Sequence, residues 1–182
     1  SAQDLFFDLL KERAETGRIY IMNLDHCNTH SSFKDKVSMS NLCQEITLPT
    51  TPIQDIHDEQ GEIALCILSA VNVGALNDLS ELENICDLSV RALEQIIDYQ
   101  DYPVRAAEVS TKNRRSLGIG YIGLAHYLAK NNVKYSDPKA WELVDRLSEA
   151  FQYHLLRASC NIAMEKGKCE AFDRTKYAEG LL

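Results

Sequence analysis

The chain has 182 residues, 45% of them hydrophobic, and its 19 basic and 27 acidic side chains give a net charge of −8. That length suffices for one domain with a buried core, and no apolar run reaches the roughly 18 residues that a membrane span needs. The one adjacent basic pair, Arg114-Arg115, is too little positive charge for a duplex-binding face, so nucleic acid and membrane are set aside as partners. A single nucleotide is not, because backbone amides hold phosphates without net positive charge.

The opening Ser-Ala-Gln-Asp lacks the basic-then-apolar pattern of a secretory leader and has no initiator Met. The expectation is a cytoplasmic protein and a piece of something longer. Residues 3–16 place Phe6, Leu9 and Leu10 at helical spacing, with Gly17 as the stop. Residues 18–23 read as a short strand, 25–40 as polar and irregular, and 41–46 as extended. The stretch 49–61, with Pro49, Pro52 and Gly61, is a loop. Residues 62–73 form an almost continuous apolar run, the pattern of a strand buried on both faces.

A helix is expected over 79–100 with Leu79, Leu82, Ile85, Cys86, Leu93 and Ile96 in its stripe. Asp78-x-x-Glu81 or Ser80-x-x-Glu83 is its candidate capping box. Another helix is expected over 120–131. The last long helix starts at Asp137-Pro138, a cap followed by proline at the first helical position. Its stripe runs through Trp141, Val144, Leu147, Phe151, Leu155, Ala158 and Ile162 to Gly167, and it reads as packing. No repeat, low-complexity tract or linker interrupts residues 1–182, which read as a single α/β segment rich in helix.

Six cysteines, at 27, 43, 66, 86, 160 and 169, show no C-x-x-C and no compact spacing, so a secreted disulfide framework is a poor reading. Free cysteines are by default buried and inert. Asn41-Leu42-Cys43-Gln44-Glu45 argues against that default for Cys43. In an extended segment side chains alternate, which sets the Asn41 amide, the Cys43 thiol and the Glu45 carboxylate on one face. A hydrogen-bonding group, a sulfur and a base in one row point to sulfur chemistry on a polar substrate. Cys66 adds a second thiol inside the apolar run 62–70.

Two other patterns fall short. Gly118-Ile-Gly-Tyr-Ile-Gly123 matches G-x-G-x-x-G, but Thr111-Lys-Asn-Arg-Arg-Ser before it is no buried strand and Asp137 comes too soon afterwards. Tight backbone packing is the preferred reading. His26, Cys27 and His30 lie close in sequence, and Cys43 would complete four zinc ligands; structural zinc sites usually show two recognisable ligand pairs, so a hydrogen-bonded loop is preferred and no metal site is assigned.

Asn41-Leu-Cys-Gln-Glu-Ile46 resembles the active-site loop of the large, catalytic subunit of class I ribonucleotide reductase. The likeness extends to Thr16-Gly-Arg-Ile-Tyr-Ile21, Asp25-His-Cys-Asn-Thr-His30, Glu62-Ile-Ala-Leu-Cys66, Asp98-Tyr-Gln-Asp-Tyr-Pro103, Arg114-Arg-Ser-Leu-Gly-Ile-Gly120 and Tyr127-Leu-Ala-Lys130, in the family's order. The class Ia type of enteric bacteria and their phages is the nearest likeness. The resemblance implies part of a ten-stranded α/β barrel, with a cysteine-bearing finger loop threading its centre.

It also implies roles. Cys43 would carry the thiyl radical that abstracts the 3′ hydrogen of a ribonucleoside diphosphate, and Glu45 would be the base on the 3′ hydroxyl. Asn41 would hydrogen-bond the sugar, within a substrate-binding loop of Asn41, Leu42, Cys43, Gln44 and Glu45. Cys66 would be one half of the reducing dithiol. The second redox cysteine and the effector-binding regions are expected upstream, and the radical-transfer tyrosines and shuttle cysteines downstream. No cofactor is expected in this segment, since the family draws on a metal-derived radical in its small subunit and on ATP or dNTP effectors bound elsewhere. The implied partners are the remaining segments of the large subunit, the radical-generating small subunit, and thioredoxin or glutaredoxin. Alone, the chain is expected to be catalytically silent. Two other readings stay open at this point: a fragment of a glycyl-radical-type barrel enzyme, and a non-catalytic helical interaction module with an incidental thiol or zinc site.

Overall fold

A computed structural model describes residues 1–181. Helix α1 spans Ala2–Thr16 and α2 spans Leu24–His30; β1, Ile67–Asn72, leads into α3, Leu82–Tyr99, and α4, Arg105–Arg114; β2, Leu117–Ile122, is followed by α5, Leu124–Lys130, and α6, Pro138–Lys166. Short 3₁₀ turns follow β1 and α6. No helix among the described residues is long and apolar enough to cross a membrane.

The two strands form a parallel pair with Ile67 opposite Leu117 and Asn72 opposite Ile122, and the crossover between them carries α3 and α4. Period-two alternation gives the sheet two different faces. Val71 lies in the main core, with Ile119 and Tyr121 packed against it. That face rests on α3 and α6 through Leu82, Cys86, Leu147 and Phe151. The Tyr121 ring meets Phe151 edge-on, centroids 5.6 Å apart, and its hydroxyl lies 3.2 Å from Ser148 Oγ. Arg91 on α3 clasps Glu165 on α6 through two hydrogen bonds of 2.7 Å. The opposite face, bearing Leu68, Ala70, Gly118, Gly120 and Ile122, is left open.

The helix ends follow local chemistry. Ser1 and Asp4 form a reciprocal capping box, and Gly17 closes α1 in the left-handed conformation. Asp137 caps α6 ahead of Pro138, and the Gly167 N–H donates to Ala163 at the other end. Before α3, Asp78 accepts from the Ser80 N–H at 2.8 Å while Glu81 reaches back to the Asn77 N–H at 3.2 Å. Neither expected capping box closes, because a 3₁₀ turn at Leu79–Glu81 takes the first turn.

Several expectations are corrected. Residues 18–23 are not a strand: they find no ladder among the described residues, and Arg13 instead donates to the Ile19 carbonyl at 2.7 Å. Residues 24–30, expected to be irregular, are helix α2, and α4 was not anticipated at all. The strand expected over 62–73 contracts to 67–72, and the helix expected over 120–131 starts only at Leu124, since residues 117–122 are β2. Helix α1 buries none of its residues, and Trp141, assigned to the α6 core stripe, is 73% exposed. The remaining stripe residues do enter the core, with Leu147, Phe151, Ala158 and Ile162 buried.

A buried ion-pair hub links the segments around the sheet. Arg114, at the end of α4, has a side chain only 2% exposed, and it pairs with Glu62 at 2.7 Å and Asp35 at 3.0 Å. Arg174 joins Asp35 at 3.1 Å, and the Phe33 ring lies under the Arg114 guanidinium, 5.5 Å away. The polypeptide before Cys43, the entry to β1, the end of α4 and the C-terminal turn thus meet at one arginine.

Candidate active site

Residues 41–46 are not extended. The Gln44 N–H donates to the Asn41 carbonyl at 3.1 Å, and Gln44 sits at φ 61°, in the left-handed region. The Asn41 side-chain oxygen accepts from the Ile46 N–H at 3.1 Å and from Ser40 Oγ at 3.2 Å, while Ser40 Oγ donates to the Ile46 carbonyl at 2.7 Å. The physical reason is local competition: an Asn side chain that bonds nearby backbone stabilises a turn over an extended run. The expected row of amide, thiol and carboxylate on one face therefore does not form. Asn41, Leu42 and Cys43 stand exposed on the turn, with Leu42 82% exposed.

Glu45 goes elsewhere. It lines a cavity of about 780 Å³ over the open face of the sheet, together with Cys66, Leu68, Ala70, Gly118 and Gly120, and with Ile46 to Leu48 along one wall. The structure thus brings Glu45 and Cys66 together, and leaves Asn41 to Gln44 outside that cavity. Cys66 immediately precedes β1 on the face that carries Leu68 and Ala70. Burial raises the pKa of its thiol, and the negative charge of Glu45 raises it further. Both effects favour the neutral thiol of Cys66 over the nucleophilic thiolate.

The other cysteines divide by environment. Cys86 is buried in the α3 core, where burial pushes its thiol up to about 11, and it acts as a packing residue. Cys169 is half-buried and likewise shifted upward by burial. Cys27 lies on α2 beside His26, but no three His, Cys, Asp or Glu side chains among the described residues are grouped to hold a metal ion.

The glycine pattern resolves into strand and cap. Gly118 and Gly120 lie inside β2, while Gly123 takes φ 79° and opens α5. A side chain at 123 would strike the Asn72 side chain and approach the Gly74 N to 3.0 Å. Close backbone approach at the strand-to-helix corner accounts for that glycine. Sequence reasoning missed the Arg114 hub and the part played by Gly118 at the cavity. The available signal was that every second residue of Leu117–Ile122 is glycine or faces the same side.

A cavity that joins a protonated thiol to a carboxylate on an open parallel sheet raises the question of lineage. The profile of the family described as "Ribonucleotide reductase, barrel domain" matches residues 1–182. The chain belongs to that family. It is 58% identical to the ribonucleoside-diphosphate reductase subunit alpha of Haemophilus influenzae, over all of this chain and 24% of that protein. The subunit of the same name from Buchnera aphidicola subsp. Schizaphis graminum is 55% identical over 99% of this chain and 24% of its own length. The one from Enterobacteria phage T4 is 39% identical over all of this chain and 24% of its own length. The chain spans about a quarter of the length of these curated relatives. Within the described residues the sheet of this family member has two strands, β1 and β2, with one face open.

Proposed function

We propose that this chain is the thiol-bearing segment of a ribonucleotide reductase catalytic subunit, reducing ribonucleoside diphosphates to 2′-deoxyribonucleoside diphosphates when joined to the rest of its barrel. The observation that carries the reading is the shared cavity of Cys66 and Glu45 in a chain that matches the family from end to end. The barrel would have ten strands, with 41–46 as its central loop. In the closed barrel, the Asn41–Glu45 turn would be pressed over the cavity that Glu45 already lines, bringing Cys43 to the sugar.

The chemistry then balances as follows. Cys43, having lost its hydrogen atom to the radical supplied by the small subunit, takes the 3′ hydrogen. Glu45 accepts the 3′ hydroxyl proton, with Asn41 holding the sugar hydroxyls. The 2′ hydroxyl leaves as water. Cys66 and a second thiol from the remaining subunit supply two electrons and two protons, one to the departing water and one to C2′, and become a disulfide; Glu45 gives its proton back to O3′, and Cys43 returns its hydrogen to C3′. The raised pKa of Cys66 suits this role, because both hydrogens arrive with the electrons. A closed, dry site shields the radical from side reactions. Thioredoxin or glutaredoxin would restore the dithiol. The metal centre belongs to the small subunit and the ATP or dNTP effectors to other segments, so this segment's own residues orient substrate and move hydrogen.

The test is substrate-driven oxidation of Cys66. The full-length reduced subunit with its downstream shuttle cysteines changed to serine, mixed with its radical subunit and CDP but no external reductant, should form one Cys66 disulfide per dCDP. Differential alkylation and mass spectrometry read this out. Formation of dCDP with Cys66 still alkylatable would overturn the assignment.

A further inference from the structure

We infer that Gly118 is a positioning residue for the Cys66 thiol, an inference that rests on the role of Cys66 proposed above. Gly118 lies in β2 directly across from Leu68. Its φ is not positive, so conformational freedom does not explain a glycine there. Glycine weakens a strand interior, and where it is kept it often marks a place that something else approaches closely. At 118 two side chains approach: a Cβ would stand 3.1 Å from Cys66 Sγ and 2.5 Å from Leu68 Cδ2.

The two contacts differ in what they can yield. Leu68 is mostly exposed and meets the added atom with the tip of a flexible side chain. It can swing aside at little cost. Cys66 is half-buried, its thiol lies 3.8 Å from the Ile67 carbonyl on one side, and Glu45 shares its cavity. A methyl group at 118 therefore displaces the sulfur by a few tenths of an ångström or turns it to another rotamer. A disulfide tolerates little such movement, since its S–S length and dihedral are narrowly set. The missing side chain at 118 is what lets the thiol lie flat against β2 and keep its aim into the cavity. Gly118 contributes no reacting group of its own; it acts through the position of Cys66.

The experiment uses the full-length subunit with its radical subunit, in the variants Gly118→Ala, Leu68→Ala, the double variant, and Cys66→Ser. Gly118→Ala should keep its Tm and its KM for CDP, while kcat falls about tenfold, the scale expected for a misplaced reacting group. Alkylation of Cys66 by iodoacetamide should slow in the same variant, a readout that loss of packing alone would not move in a protein of unchanged Tm. The drop in kcat should persist when the double variant is compared with Leu68→Ala, in which the second clash is gone; this comparison also covers a Gly118→Ala protein that folds poorly. Rescue of kcat by Leu68→Ala would overturn the inference, placing the effect in Leu68 packing. Unchanged kcat and unchanged alkylation in a folded Gly118→Ala protein would overturn it as well. Full turnover by Cys66→Ser with thioredoxin would instead remove the role of Cys66 itself, and the inference with it.

Discussion

At the scale of single residues, Arg114 shows what the fold depends on. Its guanidinium is almost fully buried against Glu62 and Asp35, and a buried charge that loses its partner is costly. Arg114→Met would leave the Glu62 carboxylate, itself 10% exposed, without its closest cation. The expected loss is about 3–5 kcal/mol, measured by urea denaturation of a soluble form of the subunit. A change below about 1 kcal/mol would mean that water reaches the hub and relieves it. Arg115, the next residue, is instead a surface clamp. It ends α4 at φ 48° and pairs with Asp98 and Glu94 on α3 at 2.8 and 2.7 Å. The hydrogen bond from Arg115 holds the Asp98 carboxyl below its ordinary value. A depressed carboxylate stabilises the fold above its unfolded pKa of about 3.9, and that contribution is lost as pH falls through the lower folded value. The Tm of wild type should therefore exceed that of Arg115→Gln at pH 6, and the two should converge below about pH 3. A constant difference across that range would show that Arg115 acts by packing or by its hydrogen bond to the Glu94 carbonyl.

At the scale of elements, what could be read in advance depended on whether the causes were local. Helix α6 was legible because Asp137, Pro138 and Gly167 mark its ends and its stripe has the right period. The end of α1 was legible at Gly17 for the same reason. Helix α4 was not, since no side chain caps its start and its end is fixed by the Arg114 hub, which joins residues far apart in sequence. The turn at Cys43 was misread because alternation was assumed where the Asn41 side chain had already bonded the backbone of Ile46. The G-x-G-x-x-G stretch divides between two elements: its first two glycines are strand residues facing the cavity, and its third opens α5. Gly123 offers a check on the corner. Gly123→Ala meets both a left-handed φ and the Asn72 side chain, and should cost about 1–3 kcal/mol in thermal unfolding. A neutral result would mean that the β2–α5 corner shifts freely.

At the scale of the whole molecule, the segment is stabilised unevenly. The sheet, α3, α5 and α6 share one core, whereas α1 buries none of its residues and presents Leu5, Phe6 and Phe7 to solvent. Hydrogen exchange on the isolated chain should therefore show α3 and α6 protected and α1 exchanging close to the rate of free peptide. Protection of α1 equal to that of α6 would reveal a contact formed between chains. The family and the α/β class were legible from residues. The two-strand extent of the sheet was not, because a strand such as the one expected at 18–23 exists only when a neighbour supplies its ladder, and none among the described residues does.

The most direct test of the proposed catalysis is CDP reduction by the full-length subunit with its radical subunit, comparing wild type with Cys43→Ser. Activity lost beyond detection, with CDP still bound at wild-type affinity, is the expected result and would place the hydrogen abstraction on Cys43. Activity retained in the serine variant would contradict it, leaving the exposed turn at Cys43 as a surface feature and Cys66 without a radical partner in this segment.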